Sequence, residues 1–239
     1  MEVVDSLFAR DNLDLNIIVD NRGDHLLLYA AWFGLGLDKV KLIPHRTNVN
    51  PDFVGGHGRT AFMNVCSVEH EDLELIEFLI DQGINVNQRG GVSMLTAFCQ
   101  AVSFCRSKVI KLLLERDDVD HNLPDLRGNA PLVYAIVRGH LSVLDMLLQK
   151  DGIDVNAQNI VGSTALAYAC ADTQPDDHTV DSVRLILSHP DIDPNILDNN
   201  GVSALSRVTG GTDQYRERIE SPEVSYVRQV LGKERAMKI

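Results

Sequence analysis

Residues 125–158 read DLRGNAPLVYAIVRGHLSVLDMLLQKDGIDVNAQ, and four parts follow one another in them. A polar turn surrounds Gly128, the apolar run Pro131–Val137 comes next, a second run ends in Met146-Leu147-Leu148, and Asp154-Val155-Asn156 leads out. This is the pattern of two short helices set behind a tight turn. A helix pair of this size cannot bury both its apolar faces alone, so the unit calls for neighbours of its own kind.

The neighbours are present. Turn glycines recur at Gly23, Gly58, Gly91, Gly128, Gly162 and Gly201, with offsets of 35, 33, 37, 34 and 39 residues. The aliphatic ends of the second helices recur as Phe78-Leu79-Ile80, Leu112-Leu113-Leu114, Met146-Leu147-Leu148 and Leu185-Ile186-Leu187. The exits are Asn48-Val49-Asn50, Asn85-Val86-Asn87, Asp154-Val155-Asn156 and the weaker Asp193-Pro194-Asn195. Each helix pair then lies on the next, the core runs along the stack, and stability is close to a sum over nearest neighbours. Glycine suits a turn that demands positive φ. A hydroxyl shortly after it, at Thr60, Ser93, Thr164 or Ser203, is placed to cap the first helix.

These motifs resemble ankyrin repeats, and the resemblance covers nearly the whole chain. It implies a repeat solenoid dominated by α-helix, an ankyrin-like stack of about six helix-turn-helix units, each opened by a short β-hairpin finger. The exits LLLERDDVDHN and LILSHPDIDPN are similar to those of fungal-type ankyrin arrays. The family's Thr-Pro-Leu-His opening survives in part: the hydroxyls above remain, Pro131 keeps the proline, and no copy keeps the histidine. Residues 20–52, 53–89, 90–124, 125–158 and 159–197 are read as repeats of one domain, 1–239. Residues 1–16 read as an incomplete first repeat, and 198–239 as a divergent last repeat or cap interrupted by the polar stretch Gly210–Pro222. A start in mid-unit also fits a piece of a longer array.

Composition narrows the function. The 239 residues are 44% hydrophobic, enough for a sizeable core, and their net charge of -12 opposes phosphate backbones and anionic lipid alike. No nucleic acid and no membrane are expected as partners. The opening MEVVDSLFARDNLDLN lacks a basic and an apolar leader region, and no stretch nears the roughly 18 apolar residues of a spanning helix. The expectation is an intracellular chain, cytoplasmic or nuclear, monomeric on its own, with Cys66, Cys99, Cys105 and Cys170 reduced.

Nothing in the sequence carries catalysis. Counted from the turn glycines, Cys66, Cys99 and Cys170 share a place that Ala31 and Ile136 fill elsewhere, which makes them packing residues, while Cys105 falls in an inter-helix insertion. His70 and His140 stand where an ankyrin unit commonly has a histidine opening its second helix. Asp172–His178 gathers carboxylates and an imidazole. A weak cation site is conceivable there, but without rigid ligand spacing a solvated loop is the plainer reading. No phosphate-binding glycine loop, nucleophile elbow or HExxH is present, so no catalytic residue, cofactor or metal is expected.

A binding surface can be read instead. In ankyrin-like stacks the fingers and the inner helices line a concave groove, and the places flanking the turn glycines hold Arg22 and Asp24, His57 and Arg59, Arg89, then Arg127 and Asn129, with Arg138 at the end of an inner helix. On so acidic a chain this row of arginines suits an acidic segment of a partner protein. The plainer alternative is that these arginines keep the fingers soluble and pair with nearby acids. Trp32 and Phe33, with Tyr29 one turn earlier, stand where other units have small or polar pairs, as interface anchors or as a plug for the first unit. The favoured function is a non-enzymatic adaptor. The alternative is a small-molecule-binding or catalytic accessory of a biosynthetic pathway using the same groove, with Trp32 and the insertion at 172–179 as its features.

Overall fold

The computed structural model describes residues 24–33, 50, 52–171 and 177–209, together with Gln229. Arg22, Gly23, the expected terminal half-repeat 1–16, most of the Asp172–His178 insertion and the stretch from Gly210 through the expected closing helix lie outside the described residues. The chain divides between Val119 and Asp120 into two compact units.

In the first unit the helices are α1 (Leu26–Phe33), α2 (Ala61–Val65), α3 (Leu73–Asp81), α4 (Ala97–Ser103) and α5 (Ser107–Leu114). Helix α1 packs on α2 and α2 on α4, forming an inner row; α3 packs on α5 as an outer row, and α2–α3 and α4–α5 pair the two rows. The second unit repeats the arrangement. Its inner row is α6 (Pro131–Val137), α8 (Ala165–Ala169) and α10 (Ala204–Thr209), and its outer row is α7 (Leu141–Leu148) and α9 (Asp177–Leu187).

Sequence explains which helix goes where. Every residue of AFMNV in α2 and of AFCQAVS in α4 is buried, as befits an inner helix packed on a neighbour and on its own partner. In the outer α5, SKVIKLLL, only Val109, Ile110 and Leu113 are buried, a stripe at helical spacing. Thr60, Thr96 and Thr164 cap α2, α4 and α8 by accepting from Met63, Cys99 and Ala167 N–H groups. Helix α6 has no such cap and starts on Pro131, whose missing N–H removes one of the donors needing satisfaction. Helix α5 borrows its cap from the preceding repeat, where Glu71 Oε2 accepts from Lys108 and Val109 N–H at 2.7 and 3.2 Å.

One expectation is corrected here. The cap of α4 is Thr96 and not Ser93, because the finger carries three extra residues between Gly91 and Leu95, with Met94 at φ 53. Cys99 therefore sits three residues past its cap, the place of Met63 and Ala167, whereas Cys66 and Cys170 sit six past theirs. All three thiols are buried, as packing residues should be. His70 is exposed and precedes Asp72, which is the residue that caps α3.

Two ladders tie repeat to repeat within each unit. At the exits, Asn122 donates to Gly152 O and accepts from Asp154 N–H, and Asn156 does the same to Asp191 O and Asp193 N–H. Asn87 reaches Asp118 O in the first unit. At the fingers, Gly91 N–H donates to Gly58 O, Ile160 N–H to Arg127 O and Asn199 N–H to Val161 O. Strand pairing is slight among the described residues, with bridges at Gly90 with Leu95 and Leu197 with Ser203. At φ +80, Gly128 meets both demands made on a turn glycine, since a Cβ there would also fall 2.9 Å from Ile160 N on the next finger.

Candidate protein-interaction surface

In the first unit the C-terminal ends of α1, α2 and α4 come together with two arginines. Trp32 and Phe33 end α1 and are 48% and 57% exposed; Phe104, the C-cap of α4, is 49% exposed. Tyr29 packs against Phe33 with the rings tilted by 36° and their centroids 4.3 Å apart. Between the aromatic ends lies Ser67, just past α2. Arg59 donates through Nη2 to its hydroxyl at 2.8 Å, to Met63 O at 3.2 Å and to the amide oxygen of Gln100. Arg106 donates through Nε to the Ser67 carbonyl at 2.9 Å. Each guanidinium also lies over an aromatic ring, Arg59 5.4 Å from Trp32 and Arg106 5.9 Å from Phe104.

Charge there is unbalanced. All of these oxygen partners are neutral, and burial holds the Arg59 guanidinium below its ordinary pKa with no carboxylate to offset it. Among the described residues the buried atoms without a hydrogen-bond partner are Arg59 Nε, Asn64 Oδ1, His25 Nδ1 and Arg207 Nε. Arg116, Arg184 and Arg207 do have acids, pairing with Asp118, Asp181 and Asp198 at 2.7, 3.2 and 2.6 Å.

The second unit places a closed polar network at its fingers. The buried Asp125 accepts from Arg127 and Asn129 N–H, from Asn129 Nδ2 and from Tyr134 Oη, all between 2.7 and 3.0 Å. Asn159 bridges Asn129 and Tyr168, and Arg207 spans Ser163 and Asp198. Outside this network, Leu126, Ile160 and Val161 expose apolar side chains at the finger tips, and Val137 does so at the end of α6.

Known proteins share this fold. Residues 27–125 match the family described as ankyrin repeats (3 copies) and residues 113–169 the one described as ankyrin repeats (many copies), together more than half of the chain. This chain belongs to the ankyrin-repeat family. A solved ankyrin repeat domain of Bcl-3, a member of the IkappaB protein family, has a TM-score of 0.72 at 24% identity, over 97% of this chain and 91% of that one. EF0377, an ankyrin repeat protein, gives 0.69 at 26% identity over 87% and 96%. A 79-residue stretch is 33% identical to transient receptor potential cation channel subfamily A member 1 of Homo sapiens, covering 33% of this chain and only 7% of that one.

Ankyrin repeats are in general protein-interaction modules, and the residues expected to serve this one divide as follows. Trp32 and Arg59 are brought together, with Phe33 and Tyr29 beside them. Asp24 accepts from Gly56 N–H at 3.0 Å, which ties it to the next finger. His57, Arg127 and Arg138 are exposed, while half-buried Arg89 donates to Met94 O within its own finger. Asn129 belongs to the finger network, and Arg22 lies outside the described residues. Among the described residues no ion pair joins Arg59, Arg89, Arg127 or Arg138 to a carboxylate. Phe104, Arg106, Ser67 and Gln100 were not singled out from the sequence. The three-residue insertion before Thr96 hides that Phe104 ends its inner helix as Phe33 ends α1.

Among the described residues no helix is long and apolar enough to cross a membrane, and no three His, Cys, Asp or Glu side chains gather as metal ligands.

Proposed function

We propose that the chain is a non-enzymatic adaptor that holds a partner protein against its finger tips and inner-helix ends, and that the partner offers an acidic segment. The observation that carries this reading is where the apolar and cationic side chains left over from folding fall. Trp32, Phe33, Phe104 and Val137 are exposed at the ends of inner helices, Leu126, Ile160 and Val161 at finger tips, and Arg59, Arg89, Arg127 and Arg138 have no carboxylate partner among the described residues. Large aromatics and arginine are the side chains that dominate protein interfaces.

Replacing Arg59, Arg89 and Arg127 together with glutamate tests it. Affinity capture with the folded triple variant should lose the stoichiometric companion that the wild type retains, and retention at equal yield would refute the reading.

A further inference from the structure

Ser67 is where two arginines meet. The Arg59 guanidinium binds its hydroxyl and that of Arg106 its carbonyl, so two whole positive charges are fixed against one residue by neutral oxygens alone. Trp32 and Phe104, each about half exposed, stand on the outer sides, each with an arginine over its ring. Among the described residues of the second unit, the half-buried Arg207 pairs instead with the Asp198 carboxylate.

We propose that this cluster is a docking site for an acidic peptide segment in which carboxylates alternate with apolar side chains. The carboxylates sit on Arg59 and Arg106, and the apolar side chains on Trp32 and Phe104. The inference rests on the adaptor reading and names the subsite within it. Charge complementarity selects the occupant, for a chain of net charge -12 repels an acidic segment everywhere except where cations are left unbalanced. Arg106 spends only Nε on Ser67, so its two terminal amino groups remain as parallel donors that suit a carboxylate, while Arg59 has Nη1 left to donate. Arg59 is held in place by three acceptors before any peptide arrives, so little side-chain entropy remains to be lost there on binding.

The chain has a single tryptophan, so Trp32 emission reads this site directly. The full chain should be titrated with an acetylated decapeptide of alternating Glu and Leu, with its Gln and Leu counterpart, and with a single-stranded DNA oligonucleotide. The Glu peptide should shift the emission saturably and bind at least roughly tenfold more tightly than the Gln peptide. Arg106→Gln and Phe104→Ala should each weaken binding about fivefold or more, and Arg106→Lys should keep more affinity than Arg106→Gln. Phe104 is exposed, so Phe104→Ala stays informative should an arginine variant fail to fold.

Equal binding of the Glu and Gln peptides, binding of the oligonucleotide alone, or indifference to both Arg106→Gln and Phe104→Ala would overturn the site. The broader reading fails separately. A captured partner held equally by wild type and by the Arg106→Gln, Phe104→Ala double variant removes only this subsite, whereas a triple arginine variant that retains its companion removes the adaptor reading.

Discussion

The two units tie down their fingers in different ways. In residues 120–239, Asp125, Asn159 and Asp198 each stand three residues before a turn glycine, and each side chain accepts two backbone N–H groups of its own finger. At the two described turn glycines of residues 1–119, Gly58 and Gly91, the same place holds Gly55 and Gln88. Gly55 leaves room that Asp24 fills from the preceding repeat: a Cβ on Gly55 would lie 2.1 Å from Asp24 Oδ1, which accepts from Gly56 N–H instead. Both units keep buried polar atoms without a described partner, Arg59 Nε and Asn64 Oδ1 in one and Arg207 Nε in the other; the first differs in that two of its arginines converge on one residue, Ser67, through neutral oxygens. Buried polar groups are nearly always paired in folded proteins, so where they are not, a function is the first explanation to test.

The largest effect should come from Asp125→Ala. It removes a buried carboxylate that accepts four hydrogen bonds, and the orphaned donors should lower stability by about 3 kcal/mol, read by urea unfolding. Asp24→Ala should cost about 1 kcal/mol because the bond that it accepts from Gly56 N–H is exposed. Equal costs would end the contrast between the units.

Finger stacking can be isolated next. Gly128 and Gly152 both have positive φ, but only at Gly128 would a Cβ meet the backbone of the following finger, while Gly152 has nothing within 4 Å. Gly152→Ala should cost about 1 kcal/mol for its backbone conformation. Gly128→Ala should exceed it by at least about 1 kcal/mol, since the clash at Ile160 N is added. Like costs would mean that the fingers do not lean on one another.

A smaller effect concerns acid. The Val202 N–H first, then the Asn200 N–H and the Arg207 guanidinium, hold the Asp198 carboxyl below the usual carboxylate range, against a smaller opposing effect of burial. A lowered folded-state pKa means that this contribution is present above the unfolded value of about 4 and is lost as pH falls through the folded value. Asp198→Asn should therefore flatten the fall in stability below about pH 4. An unchanged acid limb would show that the carboxylate has no such role.

Thiol labelling gives the gentlest comparison. Burial pushes the Cys66 thiol up in the first unit and Cys170 up to about 12 in the second, against a weaker lowering by Arg207. Half-buried Cys105 should react first with an alkylating reagent in the native state, and Cys66 and Cys170 should follow only on opening. Faster labelling of Cys66 than of Cys170 would show that the unit with fewer internal tethers opens more often.

Much of the fold was legible because the repeat writes it several times over. The glycine file gave positive φ at Gly58, Gly91, Gly128, Gly162 and Gly201, and the aliphatic pairs gave the buried stripes of the outer helices. What failed was local arithmetic. Counting from Gly91 placed the cap on Ser93, because an insertion between glycine and helix changes the register without disturbing the longer period. The candidate surface was legible where it used variable positions, as at Trp32 and Arg59. Arg106 and Phe104 escaped notice because they fall in a stretch read as an insertion, and because the reach of Arg106 to a serine of the preceding repeat is a three-dimensional fact with no sequence spacing.

The claim that partner binding is concentrated where the first unit leaves side chains unbalanced is tested most directly by hydrogen–deuterium exchange of the full chain with and without its captured partner. Slowed exchange should appear at residues 30–33, 59–68 and 100–106, with the outer helices Leu73–Asp81 and Leu141–Leu148 unaffected. Slowed exchange confined to those outer helices, with the inner-helix ends unchanged, would contradict it.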